Sequence, residues 1–418
     1  MRNKKRAGLV GAVVCVGLAL SACSDDGSSG DSTESSASGG DPIKIMTVAP
    51  VGTSAGGANL PESVAAVSAA VRALNERGGL GGRQVELVHC NDRNDATAAA
   101  DCGQQAVDEG VVAVVGMYSQ TGGVLPALES AGIPSIGSVG ISGDGSELTS
   151  RNSFVYYDNL MGFVACPTVL SESGANQIGS MSYDIAASAR VAQLVLAGGV
   201  AAGKPINPEI KLPPATSDYA PVAAQLRSAG ATAVTLVSPE ASSVALMQAA
   251  GPSVSYCNAQ GALSEASLTS MGPAAQNFYE SGPFPPLSAA DRYPELQQFN
   301  TEMDAAEASG DAEAAVAKRK ATSINAWLSV QVLEKVAREI SGSITGQSLL
   351  DQLNKTTNLD IGLVPPMNFT QPTPIPGLER MFNTSVRANK WDAASRQLVP
   401  ASDTIYNGLE LLANAQGR

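Results

Sequence analysis

The sequence predicts an α/β protein of two lobes, each built around a parallel central sheet. Three observations carry this. Short runs rich in Val and Ile alternate with stretches whose apolar residues recur at helical spacing. The alternation occurs as two separate series. The chain is also 418 residues long, beyond the range in which a single hydrophobic core keeps growing.

Residues 43–48 read as a strand, followed by a Gly-rich loop over 49–60 and a helix opened by Pro61 at its first position. Val64, Val67, Val71 and Leu74 fall on one face of that helix, and Gly78 and Gly79 end it. The first series continues with a strand at 84–89, a helix at 97–108, a strand at 111–116, a helix at 124–130 and a strand at 134–137. The second series has strands at 178–182, 209–212, 233–237 and 253–258, separated by helices at 186–196, 219–229 and 242–250. Strands separated by helices imply parallel βαβ units. An Ala/Glu-rich stretch over 302–318 and a long helix at 323–340 are expected to pack on one lobe. Pro365, Pro366, Pro372, Pro374 and Pro376 then mark an irregular crossing segment.

Composition narrows the function. With 26 Lys and Arg against 39 Asp and Glu, the chain carries a net charge of −13, which a phosphate backbone repels, so nucleic acid is not an expected partner. A lone histidine, His89, leaves almost no material for histidine-based acid–base or zinc chemistry, and no metal or cofactor site is expected. Gly52-Thr53-Ser54-Ala55-Gly56 fits the spacing of a nucleophile elbow, but no Asp lies between Ser54 and His89 and no triad can be assembled. It reads as a Gly-rich loop, and no catalytic residue is assigned.

The N-terminus reads as an address. Arg2, Lys4, Lys5 and Arg6 precede an uncharged apolar run, Ala7 to Leu20, too short to span a bilayer. The run ends in Leu20-Ser21-Ala22-Cys23, which resembles the lipobox of bacterial lipoproteins. Residues 1–22 are therefore expected to be a lipoprotein signal peptide, with Cys23 the lipidated new N-terminus. Removing that peptide takes four basic residues and no acidic one, deepening the net charge to −17. Residues 23–41 are then a flexible tether, whose Ser, Gly, Asp, Thr and Glu cannot offset the entropy of ordering. Such a tether holds the folded body about 20–25 Å from the lipid on average.

Asn75-Glu76-Arg77-Gly78-Gly79-Leu80-Gly81-Gly82-Arg83 followed by Gln84-Val85-Glu86-Leu87 resembles the first helix-to-strand turn of the leucine/isoleucine/valine-binding protein family, the substrate-binding proteins of ABC importers. Val114-Val115-Gly116, Ala131-Gly132-Ile133-Pro134, Asp218-Tyr219-Ala220-Pro221-Val222 and Phe382-Asn383-Thr384-Ser385-Val386 are similar to later family segments and run in family order. The resemblance implies a type I periplasmic-binding fold: lobe 1 from 42–152 plus 283–360, lobe 2 from 153–282 plus 377–402, a third crossing at 361–376 and a C-terminal tail at 403–418. It implies a three-segment hinge, and a ligand closed between the lobes.

Ligands of open parallel sheets sit beyond the carboxyl ends of the strands. In lobe 1 those loops carry Tyr118, Ser119 and Thr121, the last two with hydroxyls that suit a carboxylate, and Gly140 and Ser142, which resemble the family's small-residue and Thr contacts. Lobe 2 supplies Tyr183, Asp184, Glu240 and Gln260. Gln260 aligns where amino-acid-binding members carry a Glu for the substrate ammonium, and the tyrosine expected a few residues after Asp184 is missing, with Ser188 nearby. A branched-chain amino acid is therefore not the expected ligand, whereas Tyr118 and Tyr183 can flank an aromatic or other carboxylate. Of the six cysteines, Cys15 leaves with the signal peptide and Cys23 is lipidated. Cys90 and Cys102 have a spacing that relatives show as a disulfide, and the remaining two, Cys166 and Cys257, both fall in lobe 2.

The expectation is a lipid-anchored, extracytoplasmic, monomeric binding component that partners ABC permease subunits and a small polar, carboxylate-bearing, amino-acid-like ligand. The rival readings are a surface sensor domain and a secreted hydrolase. If Cys23 carries the anchor, Cys23→Ser moves the protein from the detergent phase to the aqueous phase on phase partitioning; unchanged partitioning contradicts the assignment.

Overall fold

The computed structural model describes residues 40–52 and 58–416. The signal peptide, Cys23, most of the tether and residues 53–57 of the elbow-like loop lie outside the described residues.

The first lobe opens with β1 (Ile43–Val48), α1 (Pro61–Glu76), β2 (Val85–Cys90), α2 (Ala96–Asp108), β3 (Val114–Val115), α3 (Leu125–Ala131), β4 (Ser135–Ile136) and β5 (Ser153–Phe154). All five strands run parallel in the order β2-β1-β3-β4-β5. Alternation along β1 explains its lack of a polar face. Ile43 and Ile45 point into the core shared with α1, while Met46 and Val48 point to the opposite core under α2 and α3. Pro61 starts α1, as its fixed φ and missing N–H allow. The turn after α1 needs Gly79, which sits at φ +71°, where a Cβ would lie 1.9 Å from the Arg83 carbonyl oxygen.

The second lobe holds α4 (Leu160–Glu172), β6 (Ile178–Tyr183), α5 (Ala186–Ala201), β7 (Glu209–Leu212), α6 (Ala220–Ser228), β8 (Ala233–Val237), α7 (Glu240–Ala250), β9 (Ser255–Ala259), α8 (Glu265–Met271) and β10 (Phe278–Gly282). The chain returns to the first lobe for α9 (Pro294–Ala308), α10 (Ala321–Arg338) and α11 (Gly346–Leu353). It then adds β11 (Ser385–Asp392), β12 (Gln397–Pro400), β13 (Tyr406–Asn407) and α12 (Gly408–Gln416) to the second. The second sheet runs β12-β11-β10-β9-β8-β6-β7, with β13 on β11. Strands β6 to β10 are parallel, but β11 is antiparallel to both β10 and β12. This edge departs from the all-parallel expectation, and for β11 with β12 the reason is local. Asp392 accepts the N–H groups of Ala394 and Ser395 and closes a tight hairpin, so no crossover is needed.

Other departures also have causes. The strands expected at 111–116 and 134–137 shorten to β3 and β4, because Gly116 and Gly137 take positive φ and turn their loops outward beneath α10. A side chain at Gly137 would meet Tyr156 Oη at 2.6 Å and Ser329 Cβ at 2.9 Å. Helix α4 has no sequence-level signature: Pro167 interrupts it and apolar residues cover it on all sides. It is the buried centre of the second lobe, with Gly162 pressed against the Ser281 carbonyl and Gly198 of α5 against that of Val164.

The Ala/Glu-rich stretch and the long helix do pack on the first lobe, as α9 and α10. Trp327 of α10 donates to Glu302 of α9 at 2.6 Å, and Arg77, just beyond α1, joins Glu302 and Glu334 at 3.2 and 2.9 Å. Three crossings join the lobes. The first and third pair side by side, with Val155 N–H to Arg380 O at 3.1 Å and Phe382 N–H to Val155 O at 2.8 Å. The second crossing leans on the first through stacked Tyr157 and Phe284 rings, 5.1 Å apart. Ile361, Leu363, Met367 and Phe369 are core residues of the first lobe, whereas Leu378 and Met381 pack in a cluster that spans the crossings, with Leu148, Val155 and Leu160.

Both disulfides are present. Cys90–Cys102 ties β2 to α2 and Cys166–Cys257 ties α4 to β9. The bridges close loops of 12 and 91 residues, and the chain-entropy relation gives about 3 and about 4.5 kcal/mol of stabilisation. Replacing Cys166 and Cys257 with Ala therefore lowers unfolding free energy in denaturant more than replacing Cys90 and Cys102; the opposite order contradicts this.

Candidate functional site

The carboxyl ends of β1, β3 and β4 face those of β6, β8 and β9 across a cleft bridged by the three crossings. Several of the predicted residues at these strand ends are already committed to internal partners. Ser119 donates its hydroxyl to Asp92 Oδ2 at 2.6 Å, and Asp92 is fully buried. Ser142 directs its hydroxyl at Glu147, whose Oε1 also accepts the N–H groups of Ile141, at 2.6 Å, and of Ser142. Each loop thus carries its own carboxylate, which engages the hydroxyl that the sequence reading offers to a ligand. Thr121 follows Ser119, its N–H 3.4 Å from the Ser119 hydroxyl. Gly140 has no space for a side chain, since a Cβ there would lie 3.0 Å from Leu148 and 3.4 Å from Asp158. Tyr118 packs beside Glu62, and burial, with the Glu62 charge, pushes its phenol up to about 12.

On the second lobe, Tyr183 shares a short hydrogen bond with Ser242. Asp184 is exposed, its N–H on Leu212 O at 2.8 Å. Glu240 opens α7 and accepts both the N–H and the hydroxyl of Ser264, at 2.8 and 2.7 Å. Burial alone would raise the Glu240 carboxyl, but the hydrogen bonds from Ser264 and Ser267 and the charge of Lys320 hold it below the usual range. Gln260 is buried and spends both ends of its amide on one residue of the second crossing, donating to Phe284 O at 2.8 Å and accepting Phe284 N–H at 3.1 Å. Its amide pins the hinge, and Gly282 leaves the space that its side chain fills.

The sequence reading missed Glu62, Asp92, Glu147, Asp158, Arg190 and Lys320. Glu62 lies in the first turn of α1 and is 4% exposed; Lys320 precedes α10 and reaches Glu62 Oε1 at 3.4 Å. Beside Lys320 a cavity of ≈ 570 Å³ opens between the lobes, bounded by Gln260, Ser264, Glu280, Leu287 and Ile324. Among the described residues no group of three or more His, Cys, Asp or Glu is placed to hold a metal ion.

Asp158 sits where the first crossing enters α4. Burial raises its carboxyl to about 7, against hydrogen bonds from the N–H groups of Leu160 and Met161 and the Arg190 charge, with Glu147 repelling it. The folded state therefore holds a proton that the unfolded chain releases above about pH 4, so this group's contribution to stability falls as pH rises from about 4 to about 7. The slope reaches about 1.4 kcal/mol per pH unit. Asp158→Asn removes this group's share of the slope and leaves the same-signed contributions of Glu147, Glu265 and Glu280. Stability curves of variant and wild type that run parallel over this range contradict the assignment.

Two α/β lobes joined by three crossings around a polar cleft define a binding protein of the type I periplasmic class. A family model described as periplasmic binding protein matches residues 42–381, and the chain belongs to that family. The family works outside the cytoplasm, and no described helix is long and apolar enough to cross a membrane. No curated protein matches the sequence. Similar solved structures include an extracellular ligand-binding receptor from Verminephrobacter eiseniae, 15% identical over 85% of this chain and 99% of that one, with a TM-score of 0.69. A fatty acid ABC transporter substrate-binding protein from Thermomonospora curvata is 16% identical over 90% of this chain and 94% of its own, with a TM-score of 0.68. A solute-binding protein of an ABC transporter from R. palustris, in complex with 4-hydroxybenzoate, is 16% identical over 88% and 97%, with a TM-score of 0.67.

Proposed function

We propose that the chain is the solute-binding component of an ABC importer, tethered by lipid at Cys23, and that it captures a small carboxylate-bearing ligand by closing its lobes for delivery to the permease. One observation carries the reading: charged groups from opposite lobes, Glu62 and Lys320 on one side and Glu240 on the other, meet at the cleft beside a cavity of ≈ 570 Å³. That volume takes a molecule larger than leucine, and its walls combine apolar Leu287 and Ile324 with polar groups, as ligand pockets do. The fatty acid and 4-hydroxybenzoate named for two structural neighbours are carboxylates of that kind. Nothing in the site performs chemistry on the ligand, so the work is capture and release.

A thermal-shift screen of the full chain against amino acids and aromatic and aliphatic carboxylates tests this. A true ligand at 100 times its Kd adds about 2.7 kcal/mol of stability. It should also be recovered chemically unchanged. A compound that stabilises the chain but returns as product contradicts the binding role.

A further inference from the structure

A carboxylate entering this cleft needs donors, and most of the donors nearby are spent. Ser119 gives its hydroxyl to Asp92, Ser142 directs its own at Glu147, and the Gln260 amide is taken by Phe284. Arg319 also borders the cavity, but its side chain is 2% exposed and is consumed by Ala314 O, Asn300 and Asp304. Lys320 is different. Its side chain is 35% exposed, it lines the cavity, and its ammonium has three N–H donors, against a single ion-pair contact to Glu62 at 3.4 Å.

The surroundings of Lys320 leave room for a further negative charge. Glu62 is buried, its Oε1 receives no hydrogen bond among the described residues, and Lys320 is its ion-pair partner. Glu240 lies near enough across the cleft to feel the Lys320 charge too. Two carboxylates against one ammonium would repel an anion, and of the other acids lining the cavity Asp304 is paired with Arg319 while burial raises the carboxyls of Glu265 and Glu280; but three helices begin here: Glu62 is in the first turn of α1, Glu240 opens α7 and Lys320 caps α10. Each N-terminus contributes roughly half a positive charge, which offsets the excess. Lys320 thus stands between one acid on each lobe, with N–H groups left for a third oxyanion.

We infer that Lys320 is the specificity-determining residue of the cleft, the group that receives the ligand's carboxylate, and that Glu62 positions it from within its own lobe. The inference rests on the capture reading above and names the residue that selects the ligand class. It replaces the hydroxyl loops, Ser119 to Ser142, as the source of carboxylate recognition.

The test is calorimetry on the full chain, as wild type, Lys320→Met and Lys320→Arg, with benzoate, 4-hydroxybenzoate, hexanoate and L-leucine and the amide of each. At least one acid binds the wild type, and its amide binds about tenfold or more weaker. In Lys320→Met the acid falls to the level of the amide, while Lys320→Arg keeps the preference. The acid-to-amide ratio is read within each variant, so a general loss of stability does not imitate the result. A ratio unchanged in Lys320→Met overturns the inference, as does a wild type that binds none of the four acids. In that last case the thermal-shift screen decides separately whether the capture reading stands: an uncharged ligand that stabilises the chain preserves it.

Discussion

One topological constraint governs the rest of the structure. A parallel strand pair needs a crossover, so successive parallel strands deliver their carboxyl ends to the same edge of a sheet. The three crossings then place two such edges opposite each other. Loops that carry no regular structure, after β1, β3 and β4 in one lobe and after β6, β8 and β9 in the other, become the walls of a single cleft. The crossings are pinned by contacts that strand pairing alone does not provide. Arg380 packs against the rings of Phe154 and Phe382, 4.6 and 4.7 Å from their centroids, and donates to Ser153 O. Gln260 fastens the second crossing through Phe284. A hinge packed this tightly favours motion of the lobes as bodies over distortion of either sheet.

The cleft shows how a hydroxyl-rich loop differs from a ligand-binding one. Buried polar groups must find partners, and here Asp92 and Glu147 satisfy Ser119 and the 141–142 turn from within the same lobe. Their carboxylates occupy the positions that a ligand carboxylate would take in a site built on those donors. The burden of recognition therefore shifts towards the ends of α1, α7 and α10, where opposite charges from the two lobes meet. This distribution also accounts for a net acidic protein being able to receive an anion. The local field at Lys320, and not the overall charge, sets the preference.

Much of the fold is legible in the sequence because β-branched runs and glycine stops act locally. Strands β1, β7 and β8 have the limits that their apolar runs imply, and Pro61 and Gly79 bracket α1. Helix α4 is not legible, since a helix buried on all sides has no amphipathic period and Pro167 argues against it. The same holds for the site. Tyr118, Ser119, Ser142 and Glu240 follow strand ends and were placed in the cleft by position alone. What their hydrogens do depends on Asp92, Glu147 and Ser264, which lie 27, 5 and 24 residues away. Glu62 after Pro61 reads as an ordinary first-turn acid, and Lys320 ends the run Lys318-Arg319-Lys320, which reads as a solvated charge cluster. Only the packing of α1 against α10 makes them a pair.

The central claim is that a ligand is held between the lobes, and the distance between the lobes tests it most directly. Spin labels at Thr301, exposed on α9, and Gln225, exposed on α6, report one lobe each. With a saturating ligand from the thermal screen, the account predicts a distance distribution that shifts and narrows as the cleft closes. A distribution that stays the same while binding is saturated would contradict it.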